Sequence, residues 1–336
     1  MKALLLAALV AWSGALHAQE PAAAYAKRPD VRAFIGEMVE RHGFVEGELV
    51  RLFSRVRPVE PILEAIAAPS EKVRSWRDYR ALFLTERRIS GGIAFWKKHR
   101  RTLERAEREF GVPAEFIVAI IGVETLYGQN TGKWRVVEAL ATLAFDYPPR
   151  AAFFRQELEH YLLLARDEGL EVFALRGSYA GAFGIPQFMP GSARRYAVDF
   201  DRSGSIDLSR SAVDAIGSVA NFLKQHGWKT GGPVLAPAQA SGEGWRAFAT
   251  GSVEARYALA ELAAAGVTLQ GEALDGQEKA ALIELATPGE MSELRVGFQN
   301  FYVLTRYNRS ALYASAAHDL ARALSAAYEP GTRKET

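Results

Sequence analysis

Between Phe116 and Gly132 the chain reads FIVAIIGVETLYGQNTG, an apolar helical run broken by a single carboxylate, Glu124, just ahead of glycines and a tyrosine. Burying an unpaired carboxylate is costly. Such a run therefore calls for a helical core and for a reason to place the charge there. On a helix the residues stacked with Glu124 are Ile120, Ile121, Tyr127 and Gly128. An apolar surround disfavours the anion and raises a carboxyl pKa, which suits a general acid working near neutral pH. The competing reading is a glutamate that is exposed or hydrogen-bonded near a helix end. On this run alone, that second reading is the better one.

The rest of the chain supplies helices to pack around it. DVRAFIGEMVERHG carries apolar residues at helical spacing and ends at Gly43. VPAEFIVAIIGVETLYG starts at Pro113, in the first turn, and is expected to stop at Gly128. PRAAFFRQELEHYLLLARDEG ends at Gly169, and AVDAIGSVANFLKQHG, with Asp214 early, ends at Gly227. After Gly231 the texture changes to GGPVLAPAQASGEG, then to AALIELAT and ELRVGFQNFYVLTRY, which read as strands. A helix returns with SALYASAAHDLARALSAAY. The expected fold is mainly α (α+β). It comprises an N-terminal helical region over residues 19–110, a helical core over 111–230, a small β-containing insertion over 231–300, and a segment over 301–336 that rejoins the helical body.

The first residues, MKALLLAALVAWSGALHAQE, have Lys2, an apolar stretch from Ala3 to Leu16 and small residues around Ala18. That is the layout of a signal peptide over residues 1–18, too short for a typical membrane span. An uncleaved anchor is the alternative. Cysteine is absent, so neither disulfides nor a lipid-modified cysteine are available, and the expected product is a soluble periplasmic protein that is not a lipoprotein. A formal net charge of +2 is too small for a nucleic-acid partner. The basic stretch WKKHRRTLERAERE is interleaved with glutamates and reads as a solvated helix face. No HExxH or paired Cys/His spacing is present, RGSYAG lacks the glycine of a nucleophile elbow, and GQNTGKW is not a phosphate loop.

RGSYAGAFGIPQFMPGSARRYAVDFDRSG packs Gly177, Gly181 and Gly184 among small residues, followed by Gln187, Phe188 and Met189. Glycines let a backbone approach a ligand closely, and a glutamine with aromatic residues suits a sugar. A tight loop with Phe188 and Met189 in the core fits equally well.

Five colinear blocks now stand together: VAIIGVETLYGQNTGKW, ALATLAFDYPPRAAFFRQELEHYLLLARDEG, GSYAGAFGIPQFMPGSARRYAVDF, DAIGSVANFLKQHGW and NFYVLTRYNRSALYA. Together they resemble the lytic murein transglycosylase B family over nearly the whole chain past the leader. The resemblance implies a lysozyme-like core, peptidoglycan glycan strands as substrate, and no cofactor for the reaction. It makes Glu124 the single catalytic glutamate and puts Ser178 near the acetamido group of the sugar. It makes Gln187, Phe188, Tyr307, Asn308, Tyr313 and Tyr79 cleft residues. Asn308 or Ser310 as a helix cap, and Tyr313 as core, are the alternatives. Phe222 stands where the best-known members carry tyrosine, and Pro149 replaces one arginine of the YPRR block, while Arg150 remains.

DFDRSGSIDL resembles the family's EF-hand-like loop, over 199–214. Asp199, Asp201, Ser203 and Asp207 alternate around Gly204, and Ser205 offers a carbonyl to Ca²⁺. Arg210 stands at the twelfth position and cannot ligate, so Asp214 would close a weak site. An aspartate-rich turn is the alternative. For the reaction, the resemblance implies that Glu124 acts as acid and then base, giving a 1,6-anhydro product. A hydrolytic muramidase using Asp146 as a second carboxylate, and a non-catalytic peptidoglycan-binding scaffold, are the competing readings.

Overall fold

The computed structural model describes residues 25–67, 75–270 and 275–328, and the expected leader lies outside them. The chain divides into two units after Pro58. The first holds a 3-10 turn at Tyr25–Lys27, then α1 (Pro29–His42) and α2 (Glu46–Arg55). Helix α1 stops as its sequence predicts. Gly43 takes a left-handed φ of 67°, and its N–H reaches the carbonyl of Val39 at 3.0 Å. Phe34 and Phe53 meet edge to face at 6.0 Å, an arrangement ring quadrupoles favour.

The second unit begins with α3 (Glu60–Ala67), α4 (Trp76–Phe83), α5 (Glu86–Lys98), α6 (Arg100–Phe110) and α7 (Ala114–Thr125). The region expected over 19–110 therefore spans both units. There follow β1 (Trp134–Arg135), α8 (Val136–Asp146), α9 (Ala151–Asp167), β2 (Arg176–Gly177), α10 (Pro190–Tyr196) and α11 (Ala212–Gln225). A five-stranded antiparallel sheet comes next, from β3 (Leu235–Ala240), β4 (Tyr257–Ala258), β5 (Val267–Leu269), β6 (Lys279–Leu285) and β7 (Glu293–Gly297), in the order β4-β6-β7-β3-β5. Helix α12 (Leu259–Ala264) lies between β4 and β5 in sequence, and its Leu259 and Leu262 join Val267, Leu282, Val296 and Phe298 in a small core. Helices α13 (Gln299–Tyr307) and α14 (Ala311–Ala327) complete the unit. Among the described residues no helix is long and apolar enough to cross a membrane.

Between Phe116 and Val123 helix α7 is apolar on every side. Ile117, Val118, Ile120 and Ile121 have no exposed surface, and α5, α6, α11 and α14 pack against the helix. A helix with no polar face has to be enclosed, and each such side chain contributes about 1.5–3 kcal/mol by leaving water.

One strand expectation is corrected. AALIELAT does form β6, but ELRVGFQNFYVLTRY is strand only to Gly297 and helix from Gln299. Phe301, Leu304 and Thr305 are buried at helical spacing. Buried Asn300 fixes the corner, accepting the Lys229 N–H at 2.7 Å and donating to the carbonyls of Lys229 and Gly232. These partners lie far away in sequence, and local strand propensity yields to them. Ser310 then caps α14, its hydroxyl accepting the Tyr313 N–H at 3.2 Å.

Candidate active site

Helix α7 does not run on to Gly128. It ends at Thr125 because Leu126 and Tyr127 both adopt left-handed backbone, with φ of 49° and 62°. Left-handed non-glycine residues cost about 1–3 kcal/mol each and persist where their surroundings over-determine them. Here the Thr125 hydroxyl accepts the Gly128 N–H at 2.9 Å and donates to the Ile185 carbonyl at 2.8 Å. The Tyr127 hydroxyl donates to the Arg88 carbonyl at 2.7 Å, and Arg88 Nε donates to the Gly122 carbonyl at 3.0 Å. Tyr127 thus turns back toward α5 and does not stack on Glu124 as a continued helix would require. The strained corner sits immediately beside the carboxylate.

Glu124 itself is half-buried. Burial pushes its pKa up to about 7, against a downward pull from the Tyr313 hydroxyl, which donates to Oε1 at 2.6 Å. No other carboxylate figures among the causes of that shift. Tyr313 is 2% exposed. Burial and the Glu124 charge hold its pKa well above the usual phenol range, so it remains a donor. Its ring is core rather than the cleft wall the resemblance implies, and its hydroxyl serves the carboxyl. Tyr79 on α4 acts electrostatically on Tyr313, and its ring lies 5.2 Å from Phe83.

The facing loop is folded tightly. Ser178 donates its N–H to the Ala182 carbonyl at 2.7 Å, and Phe183 and Phe188 exchange backbone bonds of 2.9 and 3.1 Å. Gly184 is left-handed at φ 75°, and a Cβ there would lie 2.6 Å from the Leu208 carbonyl oxygen. The loop is pinned to the site at successive residues: Ile185 by Thr125, and Pro186 by the Tyr307 hydroxyl at 2.6 Å. Gln187, left-handed at φ 51°, donates its amide to the carbonyls of Thr131 and Gly184 at 3.0 and 2.9 Å. Both neighbours are acceptors, so the nitrogen must face them and Oε1 points away from them. The half-buried Ser178 hydroxyl accepts the Ala182 N–H at 3.1 Å and keeps its proton to donate.

Phe188 is placed differently from the cleft position the resemblance implies. It is 2% exposed and packs on Phe222 at 5.6 Å and Tyr307 at 5.8 Å. It therefore backs Tyr307 rather than offering its ring to a sugar. Asn308 is exposed on the turn after α13; the capping role falls to Ser310. Thr125, Arg88 and Thr131 were not singled out by sequence. Thr125 alone left a signal, a hydroxyl directly after the carboxylate at a helix end.

In the acidic loop, one oxygen each from Asp199, Asp201 and Asp214 lies within 4.8 Å of the others. Asp214 is fully buried and accepts the N–H groups of Phe200, Asp201 and Asp207 at 2.8, 3.2 and 3.0 Å. The Ser203 hydroxyl donates to the Ser205 carbonyl at 3.1 Å. Asp207 instead accepts the N–H groups of Ser209 and Arg210 at 3.0 Å. Asp214, not Arg210, thus closes the cluster. Convergent carboxylates with hydroxyl and carbonyl oxygens nearby are a hard-donor set that fits Ca²⁺.

A family model described as the transglycosylase SLT domain matches residues 26–322. The chain is 41% identical over 312 residues to the membrane-bound lytic murein transglycosylase B of Escherichia coli (strain K12), covering 90% of this chain and 84% of that one. Its structure is similar to that of the catenated lytic transglycosylase SltB1 from Pseudomonas aeruginosa, with TM-score 0.86, 48% identity, and coverage of 90% and 99%. It is similar too to the Escherichia coli lytic transglycosylase Slt35 in complex with calcium, with TM-score 0.81, 40% identity, and coverage of 90% and 95%. The mainly α architecture with a lysozyme-like core is shared with these structures.

Proposed function

We infer the chemistry of the site from one premise: this chain belongs to the lytic transglycosylase family marked by the SLT domain, and it is an enzyme acting on peptidoglycan. Glu124, protonated, donates its proton to the glycosidic oxygen between N-acetylmuramic acid and N-acetylglucosamine. The substrate's acetamido oxygen supports the positive charge developing at C1, as in substrate-assisted glycosidases. The carboxylate left behind then takes the proton of the muramic C6 hydroxyl as that oxygen attacks C1. The product is a 1,6-anhydro sugar, Glu124 regains its proton, and no water is consumed.

The observation that carries this reading is the balance at Glu124. Burial favours the acid, the Tyr313 hydrogen bond favours the anion, and the result is a pKa of about 7, where both forms are within reach. The Ser178 proton and the Gln187 oxygen supply a donor and an acceptor for the sugar substituents. Tyr307, Tyr79 and Asn308 complete the walls. The test is mass spectrometry of digested sacculi, in which an anhydro end is lighter by one water than a hydrolysed end.

Asp199, Asp201 and Asp214, with Ser203 and Ser205, would hold Ca²⁺, as a solved relative is in complex with calcium. Its contribution would be to neutralise the carboxylates and brace the loop ahead of α11. Added Ca²⁺ is expected to raise the melting temperature, a chelator to reverse this, and Asp201→Asn to blunt both. Export to the periplasm by a leader over residues 1–18 is supported by the leader's composition and by the location of the substrate.

A further inference from the structure

We propose that the β1–β2 ribbon is a specificity site for the anionic peptide stems of the glycan, a reading that rests on the transglycosylase assignment above. The register sets Arg135 directly opposite Arg176, and Trp134 opposite Gly177. Directly opposed residues project to one face, where like charges destabilise the pairing. Lys133 stands in the bend directly before β1, one residue from Trp134, and adds a third cation beside the pair. All three cations are exposed. The ion pair recorded among them joins Arg135 to Glu138 at 3.5 Å.

Ring and backbone contacts hold the cations in place. Lys133 Nζ lies 4.9 Å from the Trp134 ring centre, and the Arg135 guanidinium 6.0 Å from that of Phe173. An Arg176 guanidinium nitrogen donates to the Lys133 carbonyl at 2.7 Å, fastening strand to strand. The approach is close by necessity: Gly132 has φ 98°, and a Cβ there would lie 2.0 Å from the Gly177 carbonyl. The ribbon is also continuous with the reaction site. Ser178 directly follows β2, and the Thr131 carbonyl receives the Gln187 amide. A repelling pair kept on so short a ribbon costs stability that a bound anion would offset. The peptide stem begins at the muramic residue whose bond is cut, and it carries carboxylates, which guanidinium groups match in shape and charge.

The test compares kcat/KM on stem-bearing glycan strands with that on the same strands stripped of peptide by an amidase. Wild type, the double variant Lys133→Ala/Arg135→Ala, and Arg135→Lys are each measured at low and high salt. The expected result is a wild-type preference for stem-bearing strands that shrinks about tenfold in the double variant. Arg135→Lys, which keeps the charge but not the planar fork, should fall between the two, and the preference should weaken at high salt. An unchanged preference in the double variant, or equal loss on both substrates, overturns the proposal. Failure of the underlying reading would show elsewhere, as wild-type products without anhydro ends.

Discussion

Glu124 is held between two opposing influences, and both can be titrated. Its folded pKa of about 7 lies above the ordinary 4.5 because burial outweighs the Tyr313 bond. Stability tied to the protonated carboxyl is therefore complete below the ordinary value and is lost as pH rises through about 7. By linkage the loss is about 3 kcal/mol. Wild type should lose more stability between pH 5 and pH 8 than Glu124→Gln, whose amide cannot ionise, and denaturant titrations at the two pH values would measure the gap. Because the acid form must donate, kcat/KM should also fall as pH rises through about 7. Tyr313→Phe removes the one hydrogen bond that lowers this pKa, so the falling limb should move to higher pH while turnover drops about tenfold. Reversal of that shift would mean that the tyrosine acts otherwise. A charge inside an apolar run made the glutamate conspicuous, but its role was legible only with the five blocks of the resemblance. Its partner was legible only by resemblance, because 189 positions separate the two residues and no local pattern spans that distance. Phe188 was misplaced because a ring looks the same in sequence whether it faces a sugar or backs another ring.

The end of α7 is where local rules gave way. Glycine at position 128 reads as the natural stop, yet the chain turns earlier, on Leu126 and Tyr127, because tertiary bonds from Thr125, Tyr127 and Arg88 define the corner. Thr125→Val keeps the shape and deletes a two-way hydrogen bond. It should cost about 1–3 kcal/mol, the penalty for leaving buried partners unsatisfied. If the corner positions Glu124, kcat should fall more than KM rises, whereas a purely structural role would change stability alone. The strand-to-helix switch after Gly297 was missed for a related reason. Its cause, Asn300 bound to Lys229 and Gly232, is a long-range contact, while the aromatic-rich segment reads locally as strand. Helix ends marked by Gly43, Gly169 and Gly227, each left-handed, were readable because that conformation is glycine's own.

Within the larger unit, an ion network centred on the buried Arg295–Asp319 pair ties α4, the sheet and α14 together. Asp319, 9% exposed, accepts from Arg295 at 2.6 and 3.0 Å and from Arg80 at 2.6 Å, and Arg295 also donates to Glu293 at 2.6 Å. Burial alone would raise the Asp319 pKa, but the bonds from His318, Arg295 and Arg80 outweigh it and hold the carboxyl well below its usual range. A depressed pKa stabilises above the ordinary value of 3.8 and loses that stabilisation as pH falls below it. Asp319→Asn should destabilise by about 3 kcal/mol at pH 7, since it leaves buried Arg295 with Glu293 as its one carboxylate partner and takes the partner of Arg80 away. The gap to wild type, read from denaturant midpoints, should narrow below pH 4. This network was not legible in sequence, because its charges come from three distant segments, whereas the order of helical core, sheet and returning helix was.

The central claim is that a lone glutamate moves one proton out and back while the sugar's own hydroxyl displaces the leaving group. Digesting sacculi and weighing the released muropeptides tests it most directly. Wild type should yield 1,6-anhydromuramic ends, and Glu124→Gln should yield essentially none while still folding. Hydrated reducing ends from the wild type, or undiminished turnover by the glutamine variant, would contradict the account.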